Sequence, residues 1–386
     1  MIIYIFVAVV YTICAFVNIR FKTGKNDLIN KKFTSFILML PLLTIVALRA
    51  VSVGSDTHTY YSVFYRMENV VSLKQGIRAA SNMEPGFVLL NLVSNHIGMP
   101  YHLFQVLVSI ITFYPIYRFI YRYSTNIAFS WLTFFCLRFM FGTMNQVRMW
   151  LAISFLLIAF DYLITRKPVP FVFFVGLACL FHVSSLIFLI VYPISLLRIE
   201  KKTVLSVVVF STALFLIGTP VFEWITSFVG KYNDYLTDDR FSISGNIAVF
   251  LSLFVDIVFL LVASKSTFWN SFEGCNSEEQ VSIQGETTRI ELGKCLFWFV
   301  TLCVGLDIVG LGNNVMGRIT SYFSSTMIIS IPIALSKMKK ESELLVVFII
   351  VFLVAQVFTI LILRPDWYMV TPYKFFWQEE LHFYGE

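Results

Sequence analysis

The chain has 386 residues, of which 58% are hydrophobic and only 13% are charged, and its formal net charge is +6. Soluble domains carry about 25% charged residues, so this composition excludes an ordinary soluble protein and predicts an integral membrane protein. The positive charge lies in loop lysines and arginines, which indicates topology and is not evidence for nucleic-acid binding. The six cysteines include no C-x-x-C pair, which argues against a metal or disulfide framework.

Apolar runs recur along the whole chain and predict helices, because a helix satisfies its own backbone hydrogen bonds in lipid. We predict an all-α polytopic fold of about 11–12 transmembrane helices. They form a single membrane domain over residues 1–386. In chain order, the predicted spans are Met1–Ile19, Phe33–Leu48, Tyr101–Tyr117, Ile127–Gly142, Met149–Ile164, a hairpin over Val169–Leu197, Thr203–Val221, Ile247–Ala263, Leu296–Gly310, Ile319–Leu335 and Leu344–Leu363.

Clusters of lysine and arginine mark the cytoplasmic side of this predicted bundle. The segment Val169–Leu197 is flanked by such clusters at both ends, so it must cross and return, turning near His182. The apolar segment Phe87–Ile97 is too short to cross and would invert every later loop. We therefore predict a re-entrant or interfacial helix that begins at Glu84-Pro85-Gly86. The predicted outer loops lie near residues 51–100 and 222–246, and a polar cytoplasmic loop lies near 264–294.

Three arginines fall at helix ends on the predicted outer side, where basic residues are normally scarce. Arg148 is the most notable, in the sequence Asn145-Gln146-Val147-Arg148, and Arg49 and Arg318 are the others. An arginine at the centre of a membrane helix costs on the order of 2.5–3.5 kcal/mol, so its presence needs a reason. The three could converge on a diphosphate through bidentate contacts. Each could also be an interfacial anchor or pair with a carboxylate.

Two residues are candidates for a general base. Asp56 is either the N-cap of a helix or a carboxylate near Arg49 that accepts a proton from a sugar hydroxyl. His182 is either a satisfied structural group or an ionisable residue beside an outer cavity. The neighbouring Tyr60 belongs to an interfacial aromatic belt or, alternatively, to a sugar-stacking face.

Taken in order, these motifs resemble the EpsG-like, Wzy-type polysaccharide polymerases over most of the chain. Residues Arg49 to Phe64 are similar to the R-x4-G-[ST]-D-[ST]-x2-Y-x3-F signature of that family. The chain departs from the family pattern at Met149, where glutamine is frequent, and at Phe181, where a second histidine is common. The other similar motifs are Glu84-Pro85-Gly86-Phe87, Asn145-Gln146-Val147-Arg148, Phe181-His182-Val183-Ser184, Gly317-Arg318 before Ser321-Tyr322-Phe323, and Pro372-Tyr373.

The resemblance implies a GT-C-like helical bundle in the bacterial inner (cytoplasmic) membrane, with an active site that faces the periplasm. The implied enzyme joins undecaprenyl-diphosphate-linked oligosaccharide repeat units of O-antigen or a related surface glycan. It needs no cofactor or metal, and its implied partners are a chain-length regulator (co-polymerase) and the flippase of the same pathway. The predicted catalytic residues are Asp56 and His182, and the predicted diphosphate- or sugar-binding residues are Arg49, Arg148, Arg318, Asn145, Gln146, Tyr60, Glu84, Tyr322 and Tyr373.

Two other functions stay open at this point. An O-antigen ligase uses the same kind of donor but transfers the chain to lipid A-core, and a lipid-linked oligosaccharide flippase or exporter performs no chemistry. A transporter should line both halves of the membrane with polar groups and often has repeat symmetry. Here the unusual polar residues gather on the outer side and no repeat is evident in the sequence, which favours an enzyme.

Overall fold

The fold is taken from a computed structural model, which describes residues 1–20, 28–80, 83–197, 199, 202, 204–206, 209–210, 246–265, 280–283, 286–289, 292–310, 314–336 and 343–379. Within these ranges the structure is helical, apart from one small antiparallel hairpin, and this confirms the predicted all-α class. The helices are α1 (Ile2–Arg20), α2 (Leu28–Ala47), α3 (Thr57–Arg66), α4 (Leu73–Ala79), α5 (Pro85–His96), α6 (Tyr101–Tyr123), α7 (Ile127–Cys136), α8 (Phe139–Asn145), α9 (Val147–Ile164), α10 (Pro168–Cys179), α11 (Val191–Ile194), α12 (Asn246–Lys265), α13 (Leu292–Gly310), α14 (Asn314–Ser324), α15 (Met327–Ser336) and α16 (Glu343–Leu363). Short 3-10 helices cover Val183–Ile190, Pro365–Trp367 and Phe376–Gln378, and the hairpin pairs β1 (Gln280–Ile283) with β2 (Glu286–Arg289).

Several helices are long and apolar enough to cross a bilayer, so the chain is a multi-pass membrane protein. Among the described residues there are 4 such helices, or up to 6 if each of two bent helix pairs is counted as one span. The predicted total of about 11–12 also counts segments whose described apolar helices are shorter, such as Ile2–Val17 and Phe250–Phe259, and it stays a prediction. Most of Thr203–Val221 and almost all of the predicted outer loop near 222–246 also lie outside the described residues. The 4 helices are Asn30–Ala47, Tyr101–Tyr123, Val147–Ile164 and Val346–Leu363.

The predicted span Ile127–Gly142 is not one continuous helix, and this corrects the expectation from its apolar sequence. Helices α7 and α8 meet at a bend of 55°. At the break, Arg138 has a φ of 66°, in the left-handed region that an α-helix excludes. The side chain of Gln356 donates to the carbonyl oxygen of Cys136 at 3.4 Å, which satisfies an acceptor that the end of α7 leaves without an intrahelical partner.

The predicted span Ile319–Leu335 is also interrupted, because α14 and α15 meet at a bend of 46°. The hydroxyl of Ser325 donates to the Tyr322 carbonyl at 3.2 Å, and that of Thr326 donates to the Phe323 carbonyl at 2.8 Å. Such bonds from side chain to backbone compete with the helical ladder and commonly bend helices. The apolar sequence does not reveal this competition.

Two shorter elements follow the prediction. Helix α5 has 12 residues and is too short to span, as predicted, with Pro85 in its first turn. The segment 169–197 divides into α10 and a 3-10 helix with a break at His182, also as predicted. The polar loop near 264–294 contains the β1–β2 hairpin, in which Gln280 pairs with Arg289, and its cytoplasmic side stays a prediction.

By its contacts the chain forms two compact units, and the single continuous domain stays a prediction. The first unit contains Met1–Ile158, Gly176–Val183 and Lys340–Glu386, and the second contains Ala159–Val175 and Ser184–Lys339. In the first unit α2 packs along α6 and α1 packs along α7. In the second unit α13 packs along both α12 and α14.

An aromatic core in the first unit positions the elements that carry the Arg49–Phe64 and Glu84–Phe87 motifs. The Phe64 ring lies 4.9 Å from that of Phe104 and 5.6 Å from that of Tyr101, between ring centroids. Phe87 at the start of α5 packs edge-on against Tyr60 at 5.5 Å. Each aromatic pair adds about 0.5–1.5 kcal/mol beyond the area it buries. This cluster fixes α3 and α5 against α6.

One buried amide joins the end of α2 to α6. The Gln105 Nε2 group donates to the carbonyl oxygens of Ala47 and Arg49, each at 2.9 Å. Gln105 is buried, so these carbonyls have little access to water. The amide therefore fixes the chain where it leaves α2 and enters the segment before α3.

We expect Gln105→Leu to lower the free energy of unfolding by about 1–3 kcal/mol, because two buried carbonyls lose their donor. The measurement is the thermal unfolding of the purified protein in detergent. The matched control is Ser109→Ala, one turn along α6, because the Ser109 hydroxyl donates only to the Gln105 carbonyl of its own helix. Equal stability losses in the two variants would contradict the assigned role of Gln105.

Candidate functional site

A single carboxylate joins two of the residues that the sequence predicted to be functional. Glu84 Oε2 accepts a hydrogen bond from the Arg148 guanidinium, and Glu84 Oε1 lies 3.1 Å from Nδ1 of His182. These residues come from the N-cap of α5, the first turn of α9 and the turn after α10. The three side chains are partly buried, with exposures of 11% for Glu84, 19% for Arg148 and 28% for His182. They form a cluster that has limited access to solvent.

The charge of Glu84 is stabilised by its two neighbours. Burial acts to raise the pKa of this carboxyl, but the hydrogen bond with His182 and the charge of Arg148 outweigh it, so the pKa lies below its ordinary value. Glu84 is therefore ionised at neutral pH. The resulting arrangement has one anion between a guanidinium and an imidazole.

The sequence Glu84-Pro85-Gly86 explains how the carboxylate reaches this position. The Gly86 amide donates to the Leu180 carbonyl at 2.8 Å, which ties the first turn of α5 to the turn that carries His182. A Cβ atom at residue 86 would lie 2.6 Å from the Leu180 oxygen, closer than real Cβ atoms approach. Only glycine allows this contact, while Pro85 starts the helix without needing a backbone donor.

Tyr60 and Asp56 lie on the Arg148 side of the cluster. Burial raises the pKa of the Tyr60 hydroxyl, the nearby Arg148 guanidinium lowers it, and the Asp56 carboxylate raises it, with a net increase. Tyr60 is thus close enough to both charged groups for their charges to shift the pKa of its hydroxyl. Asp56 occupies the N-cap position of α3, as one of its two interpretations expected, but its side chain makes no capping hydrogen bond to this helix.

Arg49 is buried and surrounded by backbone acceptors. Its guanidinium donates to the carbonyls of Val46 at 2.6 Å and Met144 at 3.1 Å, and to the Thr57 hydroxyl at 3.4 Å. Burial lowers the pKa of Arg49, while nearby tyrosine hydroxyls act in the opposite direction. The carbonyls belong to the C-terminal ends of α2 and α8, where a helix favours positive charge. Arg49 therefore joins two helix ends, and its predicted contact with the acceptor lipid stays a prediction.

Asn145 holds the loop that carries Asp56. Its Oδ1 atom accepts from the Ser55 amide at 2.6 Å, while its Nδ2 group donates to the Phe141 carbonyl of α8. Gly54 in this loop has a φ of +105°, and a Cβ there would lie 2.6 Å from the Thr57 hydroxyl oxygen. The glycine of the Gly-Ser-Asp motif is thus required by backbone geometry. Gln146 is half-buried and ends α8.

The C-terminal tail supports the same loop. The Tyr373 hydroxyl donates to the Ile45 carbonyl at 2.9 Å, and the Gly54 amide donates to the Met369 carbonyl at 2.9 Å. Burial raises the pKa of Tyr373, while the charge of Arg49 acts to lower it. Tyr373 therefore packs into the scaffold beside Arg49, and its predicted sugar contact stays a prediction.

The other two predicted site residues belong to the second unit. Arg318 is exposed on α14. The Tyr322 side chain is buried, and its hydroxyl forms a hydrogen bond with the Ser184 hydroxyl at 2.7 Å. Their predicted contacts with the diphosphate and the sugar stay predictions.

Arg138 is a buried polar residue that the predicted site does not include. It lies at the break between α7 and α8, and its Nη1 atom has no hydrogen-bond partner among the described residues. A charged residue inside an apolar stretch was the signal that could have identified it, since such residues are rare in membrane helices. The described residues also contain no group of three or more His, Cys, Asp or Glu side chains that could hold a metal ion.

Comparison with known proteins identifies one family. A model described as the EpsG family matches residues 32–375, which is most of the chain and includes every predicted site residue. No curated protein and no solved structure matches the chain.

The lowered pKa of Glu84 leads to a prediction about stability and pH. A depressed carboxyl pKa stabilises the folded state above the ordinary value of 4.5, and this stabilisation is lost as the pH falls through the folded-state pKa. We expect Glu84→Gln to lower the free energy of unfolding by about 2 kcal/mol at pH 7, because a charged hydrogen-bonded group is removed. The difference should shrink as the pH drops below about 4.5.

The measurement is the melting temperature of both proteins in detergent across this pH range. Glu68→Gln is the control, because Glu68 is exposed in the same predicted outer loop. A difference between wild type and Glu84→Gln that stays constant with pH would contradict the stabilising ion pair.

Proposed function

Because the chain belongs to the EpsG family, we propose that it is a membrane polysaccharide polymerase that joins lipid-diphosphate-linked oligosaccharide repeat units by glycosyl transfer. The donor is a growing glycan on undecaprenyl diphosphate, and the product is O-antigen or a related surface glycan. The reaction takes place on the periplasmic face of the bacterial inner membrane. The family match over residues 32–375 carries this proposal.

The Arg148–Glu84–His182 cluster supports the proposed chemistry. Breaking a glycosyl–diphosphate bond leaves negative charge on the departing diphosphate, and a prearranged cation stabilises that charge as it develops. Arg148 is a partly buried guanidinium whose planar fork suits phosphate oxygens. We assign it to the donor diphosphate, with Arg318 as a second predicted contact.

The acceptor sugar hydroxyl must lose its proton during the transfer. Its oxygen attacks the anomeric carbon of the donor, and the bond from that carbon to the diphosphate breaks. The bonding electron pair leaves with the diphosphate. His182 receives the hydroxyl proton, because it shares the Glu84 carboxylate with Arg148 and so lies beside the group assigned to the leaving diphosphate. Asp56 is the second candidate for this role.

An O-antigen ligase and a flippase remain the alternative functions. A ligase shares the donor chemistry and the need for a cation and a base, whereas a flippase needs no base. The His182–Glu84 contact favours an enzyme over a flippase, since orientation of an imidazole serves proton transfer. The proposed partners are a chain-length regulator and the flippase of the same pathway.

We expect a strain that lacks this protein to make surface polysaccharide that carries only a single repeat unit. Delivery and attachment of that unit survive, whereas polymerisation does not. The measurement is gel electrophoresis of surface polysaccharide from the deletion strain, with and without the complementing gene. Complete absence of attached repeat units would instead indicate a ligase or a flippase.

We expect Arg148→Lys to reduce polymerisation by on the order of 100-fold, because lysine keeps the charge but loses the two-pronged contact to phosphate. The complemented deletion strain provides the measurement, with membrane abundance checked by immunoblot. Arg66→Lys is the control, because Arg66 is an exposed arginine on α3. Full polymerisation by Arg148→Lys would refute the diphosphate assignment.

We expect His182→Ala to lose roughly 100-fold or more of the polymerisation rate, which is the usual contribution of a positioned base. Asp56→Asn, measured in the same strain, should lose less. The opposite ranking of the two variants would transfer the base role to Asp56.

A further inference from the structure

The contacts of Glu84 differ from those expected of a sugar ligand. Both of its carboxylate oxygens already face protein groups, Arg148 on one oxygen and His182 on the other. The side chain is mostly buried, with an exposed fraction of 11%. A residue placed to bind sugar hydroxyls would present at least one oxygen to the solvent side. Glu84 is instead directed into the protein.

The contact with His182 defines which imidazole nitrogen carries a proton. An ionised carboxylate can only accept hydrogen bonds, so the Nδ1 atom at 3.1 Å from Glu84 Oε1 must be the donor. In the neutral imidazole, Nε2 is then the unprotonated nitrogen and carries the lone pair. A general base needs such a lone pair, held in a fixed direction.

Neighbouring contacts hold Glu84 and His182 in the positions that this hydrogen bond requires. The Gly86 amide bonds to the Leu180 carbonyl, two residues before His182, at a separation that admits no side chain at residue 86. Phe181, next to His182, stacks on Phe155 of α9 at 5.3 Å between ring centroids. Both sides of the pair are therefore held by the scaffold.

Other charged and titratable groups of the first unit lie around this pair. Arg148 contacts Glu84 from the start of α9, and Tyr60 faces Arg148 from α3, with Asp56 near Tyr60. The Glu84 carboxylate contacts the imidazole of His182 directly and is therefore in position to orient it.

We propose that Glu84 is a positioning residue for His182, which donates its Nδ1 proton to Glu84 and thereby directs Nε2 at the acceptor hydroxyl. This inference rests on the proposed polymerase function and replaces the predicted sugar-binding role of Glu84. Because Glu84 acts through His182, its removal should have no further effect on the rate once His182 is absent.

The test is a double-mutant cycle on the purified full-length protein. Its substrate is the undecaprenyl-diphosphate-linked repeat unit extracted from the deletion strain. Initial rates are measured for wild type, Glu84→Gln, His182→Ala and the double variant. We expect Glu84→Gln to lower kcat by about 10–100-fold, with KM within about threefold. In the His182→Ala background the same change should cost at most about twofold.

Two outcomes would overturn the proposal. One is a higher KM with an unchanged kcat in Glu84→Gln, which would indicate a sugar ligand. The other is losses that multiply in the double variant, which would show that Glu84 acts independently of His182. Absence of any polymer from the wild-type protein would instead overturn the polymerase function itself, so the two failures are distinct.

A second variant alters the Glu84–His182 contact without changing the carboxylate itself. Gly86→Ala should push the start of α5 away from the Leu180 carbonyl and displace Glu84, lowering kcat in the same direction. That loss should also disappear in the His182→Ala background. Glu68→Gln is the matched control, since it removes an exposed carboxylate of the same predicted outer loop and should leave kcat unchanged. Retention of full kcat by folded Gly86→Ala protein, together with full kcat in Glu84→Gln, would count against the proposal.

Discussion

The pairing of the Glu84 carboxylate with Arg148 and His182 is the interaction on which the arrangement of the first unit depends. An ionised group with little access to water is costly unless charged or hydrogen-bonded partners surround it. Arg148 and His182 provide those partners, from positions 64 and 98 residues away along the chain. To meet this one carboxylate, the start of α5, the start of α9 and the turn after α10 must converge. The residues assigned to the chemistry are therefore brought together by contacts with one partly buried carboxylate.

Arg49 organises the neighbouring region by a different physical means. Its cation is stabilised by carbonyl groups at the ends of α2 and α8, instead of by a carboxylate. The same helix ends position the Gly54–Asp56 loop through Asn145, and the tail contributes Met369 and Tyr373. The loop near Asp56 is thus held from three directions. This explains why motifs far apart in the chain belong to one structural region.

Interruptions of the membrane helices place irregular backbone inside the protein. Such backbone is tolerated at membrane depth only where protein groups satisfy it. At the break between α7 and α8, the amide of Gln356 provides a donor for the Cys136 carbonyl. Asn145 at the end of α8 then contacts the Gly54–Asp56 loop, and α9 with Arg148 follows directly along the chain. The break therefore sets where the Asn145–Arg148 motif begins.

Much of the fold was predictable from the sequence, because the bilayer acts on each segment separately. Apolar length determines that α6, α9 and α16 can span, and the short apolar run before Ile97 yields a short helix. The turn at His182 follows from the basic clusters at both ends of its segment. The breaks at Arg138 and Thr326 were not predictable, because they arise from one left-handed residue and from hydroxyl bonds that composition does not encode.

For the candidate site, the sequence by itself determined which residue types are present and the EpsG-like order in which they occur. It identified Arg148, His182 and Glu84 as separate motifs without showing that they touch. Only the tertiary structure decided that Arg148 and His182 both contact the Glu84 carboxylate, because contacts between residues 64 or more positions apart depend on how helices pack. The same packing decided that Arg49 contacts backbone carbonyls, since a buried cation takes whichever acceptors the folded chain brings within reach.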